Sequence, residues 1–109
     1  RSLNRFGDRF AKRILSDDEL VEFKQAKSPE CFLAKRFAAK EAVSKALGTG
    51  MRQGVSFRTI SIGHDKNGKP NIVVSGGSAA IADALGVMCW HLSLSDEQEH
   101  ALAFVIAER

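Results

Sequence analysis

Residues 31–47, CFLAKRFAAKEAVSKAL, contain neither glycine nor proline and lie between a Ser28-Pro29 pair and Gly48. Most are good helix formers. Ser28 suits an N-cap, Pro29 suits the first helical position where its missing N–H costs nothing, and Gly48 supplies a left-handed stop. The apolar residues Phe32, Leu33, Ala39, Ala42, Val43, Ala46 and Leu47 leave at most a narrow polar stripe, which predicts a largely buried helix about 25 Å long. The rest of the chain must wrap around it.

Glu41, Ser44, Lys45 and Gly48 fall on that stripe by their spacing of three and four. Taken alone, Glu41 and Lys45 read as an ordinary helix pair worth about 0.2–0.5 kcal/mol. The GTG loop that follows at residues 48–50 changes the weight of the pattern. A carboxylate, an ammonium and a flexible backbone turn then share one helix end, as a metal-assisted phosphate site requires.

With 109 residues, 44% hydrophobic and 27% charged, the chain reads as a single globular domain over residues 1–109. Net charge is only +3, but Arg1, Arg5, Arg9, Lys12 and Arg13 face a single acid, Asp8, in the first thirteen residues. Cys31 and Cys89 have no CxxC spacing and apolar neighbours, so two buried free thiols in a reducing compartment are expected. No run of 18 apolar residues and no basic-then-apolar leader occurs. Neither a membrane span nor a secretory signal is predicted, and the expected location is the cytoplasm.

Before the long helix, Leu3, Phe6, Phe10 and Ile14 recur at helical spacing over residues 3–14, which puts Arg5, Arg9 and Arg13 on one polar face. Ser16 with Glu19 is a capping box for a second helix over residues 17–26, with Leu20, Val21 and Phe23 to bury. After Gly54 the period switches to alternation, Val55, Phe57, Thr59 and Ser61 opposite Ser56, Arg58, Ile60 and Ile62, and predicts a strand. Asn67-Gly68 marks a hairpin turn, residues 71–74 the returning strand, and Pro70 its start or edge. The SGGS at residues 75–78 reads as linker and cap, not a nucleotide loop, before a small helix over residues 79–85 stopped by Gly86. Trp90, Leu92 and Leu94 alternate with His91, Ser93 and Ser95, and residues 101–107 read as a fully buried strand. The sum is an α+β domain. No internal repeat or low-complexity segment is present.

Four blocks carry a family resemblance: FLAKRFAAKEAVSKALGTG at residues 32–50, NGKP at 67–70, HLSLSDE at 91–97 and AFVIAE at 103–108. In this order and spacing they resemble the holo-acyl-carrier-protein synthases, small phosphopantetheinyl transferases of fatty acid synthesis. The resemblance implies a 4'-phosphopantetheinyl transferase-like fold, a long buried helix packed on an antiparallel sheet of hairpins. It implies transfer of the 4'-phosphopantetheine arm of coenzyme A to a serine of apo acyl carrier protein, releasing adenosine 3',5'-bisphosphate.

By the same resemblance, Glu41 is a Mg2+ ligand and Lys45 the cation for charge developing at the phosphates. Two roles stay open for Glu41, metal ligand and acceptor of the serine proton. Ser44, Gly48, Thr49 and Gly50 are implied coenzyme A contacts, and Arg36 or Lys40 either reaches the 3'-phosphate or solvates the helix. The family pairs its metal-binding glutamate with an aspartate on an N-terminal Gly-x-Asp strand. That strand has no counterpart in this sequence, and Gly63-His64-Asp65 is no substitute; a fragment of a longer product is the expectation. Asp96 stands where other members carry histidine, and His64, His91 and His100 are given no role. The basic face of Arg9 and Arg13, with Arg5, is the implied dock for the acidic carrier, and a homotrimer with coenzyme A at subunit interfaces is implied. A nucleic-acid-binding module is disfavoured because no known motif is present and aromatic residues are not interleaved with the basic ones. An inactive scaffold keeping the fold is the remaining alternative.

Overall fold

The computed structural model describes residues 7–97 and 100–109. Its elements run α1 (Asp8–Ile14), α2 (Asp17–Gln25), α3 (Pro29–Ala46), a 3-10 turn (Phe57–Thr59), β1 (Ile60–His64), β2 (Pro70–Val74), α4 (Gly76–Leu85), β3 (Cys89–Glu97) and β4 (His100–Glu108). The α+β class is as expected. β1 and β2 form one antiparallel hairpin and β3 and β4 another, with Ile62 opposite Ile72 in the first and Leu92 opposite Val105 in the second. α3 packs across β4 and β3 and also touches α2, α1 and β1.

Most local signals hold, although Ser28 occupies the N-cap position of α3 without a side-chain cap hydrogen bond. Pro29 opens α3, and Gly48 follows it at φ +80°. The Ser16–Glu19 capping box closes α2 from both sides. At the hairpin tip Asp65 Oδ1 accepts the amides of Asn67 and Lys69, and Gly68 takes φ +82°. Pro70 is the first residue of β2. Gly86 ends α4 in the left-handed region.

Four expectations are corrected. Residues 57–59 form a 3-10 turn instead of strand, because the Ser56 amide donates to Thr59 Oγ1 and the Thr59 hydroxyl returns to the Ser56 carbonyl. That local closure outcompetes the alternating pattern. The SGGS segment is not a linker: Ser75 is the N-cap and Gly76, Gly77 and Ser78 are the first turn of α4. A Cβ on Gly77 would lie 2.1 Å from the Gly54 carbonyl oxygen, so the glycine lets the two backbones touch. Cys31 and Cys89 are free thiols but exposed. Finally, Val21 and Ile106 face solvent, so α2 buries mainly Phe23 and β4 is not buried throughout.

The core has two lobes. Ala11, Ile14, Leu15, Phe23 and Leu33 gather α1, α2 and the first half of α3, with Phe10, Phe32, Phe37 and Phe57 packed around them. Phe37 stacks on Phe57 at 5.3 Å between ring centroids, which seats the 3-10 turn on α3. Ala39, Val43, Leu47, Val55, Ile60, Ile62 and Ala82 form the second lobe, closed by Trp90, Leu92, Leu94 and Val105.

Candidate functional site

The buried stripe of α3 is Leu33, Arg36, Ala39, Lys40, Val43 and Ser44, and it carries two cations into the interior. Lys40 is fully buried, with Nζ donating to the Ile14 carbonyl at 2.6 Å, the Phe57 carbonyl at 3.1 Å and Glu19 Oε1 at 2.5 Å. All three ammonium protons are thereby used. The equally buried Glu19 also accepts the Ser16 and Ile62 amides, at 2.9 Å each, and Arg36 Nη1 at 3.2 Å. Arg36 Nη1 further donates to the Ile62 carbonyl at 2.8 Å, and the guanidinium lies 4.4 Å from the centre of the Phe32 ring. Desolvation lowers the Lys40 pKa below 10.5, with the Glu19 carboxylate opposing the shift. This network fixes α1, α2, the 3-10 turn and β1 to α3 at the residue preceding Glu41.

Of the two alternatives for Arg36 and Lys40, solvating the helix is excluded, since neither is exposed. Lys40 is out of reach of any ligand. Arg36 spends Nη1 internally but lines a hollow of about 510 Å³ with Glu22, Ser28, Cys31, Phe32, Lys35, His64 and Leu94. Sequence reasoning missed the network because Glu19 already had a full local role as the N3 residue of its capping box.

The opposite, half-open side of α3 presents the other residues. Glu41 is half-buried and Lys45 exposed. Neither forms an ion pair within the described residues, so the ordinary helix pair is not made. Ser44 is turned inward, and its hydroxyl donates to the Glu41 carbonyl at 2.7 Å. In this arrangement its single proton is used within the helix. The Gly48 and Gly50 amides close back on the carbonyls of Lys45 and Ser44, and the Thr49 hydroxyl donates to the Gly50 carbonyl. The two glycine amides satisfy the helix C-terminus, and the Thr49 hydroxyl is turned onto the loop's own backbone. The negative end of the helix dipole also lies here, so an anion at this loop depends on Lys45. What the loop does offer is room: at Gly48 and Gly50 a Cβ would meet no atom within 4 Å.

Mg2+ takes one or two carboxylates and completes its shell with water and phosphate oxygens. A half-buried carboxylate without an internal cation, one turn from an open ammonium, fits that ion. Arg9 and Arg13 are both exposed and, with Phe10 and Lys12, line a separate hollow of about 470 Å³. Arg5 lies outside the described residues.

Residues 1–105 match the model of the 4'-phosphopantetheinyl transferase superfamily. The holo-[acyl-carrier-protein] synthase of Vibrio cholerae is 55% identical over 109 residues, all of this chain and 86% of its own length. That of Hydrogenovibrio crunogenus is 59% identical over 99 residues, covering 91% of this chain and 78% of its own. Among solved structures, the holo-[acyl-carrier-protein] synthase of Neisseria meningitidis superposes with a TM-score of 0.90 at 50% identity, covering 98% of this chain and 86% of its own. The Helicobacter pylori enzyme, solved in complex with coenzyme A, superposes with a TM-score of 0.81 at 31% identity, over 97% of this chain and 87% of its own. Fold, motif order and identity over the whole chain agree, and the chain belongs to the holo-acyl-carrier-protein synthases of the 4'-phosphopantetheinyl transferase superfamily.

Proposed function

We propose that this chain transfers the 4'-phosphopantetheine group of coenzyme A to a serine of apo acyl carrier protein, yielding holo carrier protein and adenosine 3',5'-bisphosphate. The observation that carries the reading is Glu41 and Lys45 on the open side of α3, without an ion pair among the described residues, in a chain 55% identical over its full length to a holo-[acyl-carrier-protein] synthase.

Glu41 is the Mg2+ ligand of this proposal. When bound, the ion neutralises charge on the diphosphate that is cleaved. Lys45 holds a phosphate oxygen by charge and N–H donation, and being exposed it can follow the phosphate as charge grows on the leaving group. The Gly48–Thr49–Gly50 turn admits the cofactor's backbone-facing edge because no side chain fills that space. Lys35 and Arg36, on the wall of the 510 Å³ hollow, are the proposed cations for the 3'-phosphate.

Arg9 and Arg13, flanking Phe10 on α1, dock the acidic carrier, their charge accelerating encounter and setting its orientation. Ile106 leaves apolar area on the outer face of the β3–β4 hairpin and Met88 is exposed just before β3, which supports assembly with further copies, and we propose a homotrimer. With that activity goes our proposal of a cytoplasmic location and a role in fatty acid biosynthesis. No helix among the described residues is long and apolar enough to cross a membrane.

Intact-mass measurement of apo carrier protein incubated with coenzyme A and Mg2+ tests the proposal. It is run with this chain and with a form extended upstream by the family's Asp-bearing strand. A gain of one phosphopantetheine supports it; no gain with either folded form removes it in favour of a scaffold.

A further inference from the structure

One wall of the 510 Å³ hollow carries the charge that a phosphate site would exclude. Glu22, on α2, lines the hollow with Lys35, Arg36 and His64, and its Oε1 lies 3.5 Å from Arg36 Nη1. That nitrogen has two protons and three acceptors around it, the Ile62 carbonyl at 2.8 Å, Glu19 Oε2 at 3.2 Å and Glu22 Oε1 at 3.5 Å. Glu22 makes the longest of these contacts, and its side chain is 47% exposed where those of Glu19 and Arg36 are 1% and 4%. The Ile62 carbonyl, Glu19 and the Phe32 ring already fix the guanidinium. Glu22 therefore adds little to its orientation and contributes mainly charge. The other edge of the guanidinium, Nε and Nη2, donates to no acceptor among the described residues. It is the edge left for a ligand anion.

We propose that Glu22 is a specificity-determining residue of this hollow: its carboxylate opposes the 3'-phosphate at Arg36 and holds down the affinity for every ligand that carries that group. The proposal rests on the reading that Lys35 and Arg36 receive the 3'-phosphate of coenzyme A. A phosphomonoester brings about 1.5–2 negative charges at neutral pH, which the two cations attract and the carboxylate at the rim repels. As the phosphate engages the open edge of Arg36, Glu22 gives up its long contact and turns to water, a change that costs little for a half-exposed side chain. Coenzyme A and the product adenosine 3',5'-bisphosphate share the 3'-phosphate, so the same carboxylate weakens the grip on both. Release of the product is quickened in proportion, since affinity changes within one site fall mainly on the dissociation rate.

The test uses the upstream-extended enzyme, unaltered and as Glu22→Gln and Glu22→Lys. Transfer is assayed with coenzyme A and with 3'-dephospho-coenzyme A, and binding is measured by calorimetry with adenosine 3',5'-bisphosphate and with adenosine 5'-monophosphate. Glu22→Gln should lower KM for coenzyme A and Kd for the bisphosphate by about three- to tenfold, the size expected when one partly screened charge is taken from beside a dianion, and Glu22→Lys by more. The two ligands without a 3'-phosphate should change less than about twofold. Because the rim is exposed, the gain should shrink as salt is raised. A thermal melt should be unmoved, since Glu22 is half in water. Bisphosphate binding that is unchanged or weaker in Glu22→Gln overturns the proposal, as does an equal gain with the ligands lacking the 3'-phosphate. An unaltered enzyme that treats both coenzymes alike removes the hollow as the 3'-phosphate site, and the proposal with it, while transfer stands. Absence of transfer alongside bisphosphate binding that tightens in Glu22→Gln supports the role of Glu22 and removes only the transferase reading.

Discussion

Replacing Lys40 by methionine keeps the unbranched shape of the side chain and removes a charge that the fold has built around. The substitution leaves the carbonyls of Ile14 and Phe57 without this donor and strips one cation from Glu19, whose remaining cationic partner within its buried surroundings is Arg36. Both side chains of the pair are at most 1% exposed, so neither water nor salt can stand in for the lost partner. Breaking a buried ion pair from one side costs about 3–5 kcal/mol, a large part of the roughly 5–15 kcal/mol that holds a domain of this size together. Urea unfolding followed by circular dichroism should show that loss. Lys40→Met combined with Glu19→Gln should cost less than the sum of the two, with a coupling of about 0.5–3 kcal/mol. A loss under about 1 kcal/mol for Lys40→Met, or strict additivity in the double variant, would refute the claim that this pair organises the fold.

The pH dependence gives an independent check on the same residue. Burial lowers the folded pKa of Lys40 below 10.5, while the unfolded chain keeps the ordinary value. Between the lowered value and 10.5 the unfolded chain binds more protons, so this group adds stability as pH rises. Its contribution is fully present above 10.5 and is lost as pH falls through the folded value. The stability difference between the unaltered chain and Lys40→Met should therefore widen with rising pH in that window. A narrowing would mean that attraction to Glu19 outweighs desolvation.

Glu41→Gln keeps the shape and removes the charge, and it should abolish phosphopantetheine transfer while leaving the melting curve in place, as the intact-mass assay and a thermal scan would record. Arg9→Glu with Arg13→Glu should raise the Michaelis constant for carrier protein at least tenfold and that for coenzyme A little; equal rises would remove α1 as the docking surface. Gly77→Ala drives a methyl group to 2.1 Å from the Gly54 carbonyl oxygen and should cost about 1–3 kcal/mol by urea unfolding, with a neutral result disproving the close backbone contact.

The cap at Ser16, the stop at Gly48, the Asn67-Gly68 turn and the edge proline at Pro70 were all legible in the chain, because each rests on groups within four residues of one another. The same reach made Glu41 and Lys45 recognisable as neighbours along one side of a helix. Tertiary structure decided the rest. Arg36 and Lys40 could be read either as 3'-phosphate contacts or as cations solvating the helix until Glu19, 17 and 21 residues away, supplies a buried carboxylate. Gly77 read as linker until the backbone of Gly54 arrives against it. Residues 57–59 carried a strand pattern, yet the Ser56–Thr59 hydrogen bonds and the stacking of Phe57 on Phe37 drew them into a turn. Glu22 and Arg36 become neighbours only through the packing of α2 on α3. The local signals set φ, ψ and hydrogen bonding within a turn, and so they can be read from short spans of sequence. Which charge is buried, which helix face is covered and which donors converge depend on what packs from elsewhere in the chain, and that free energy exists only once the elements have met.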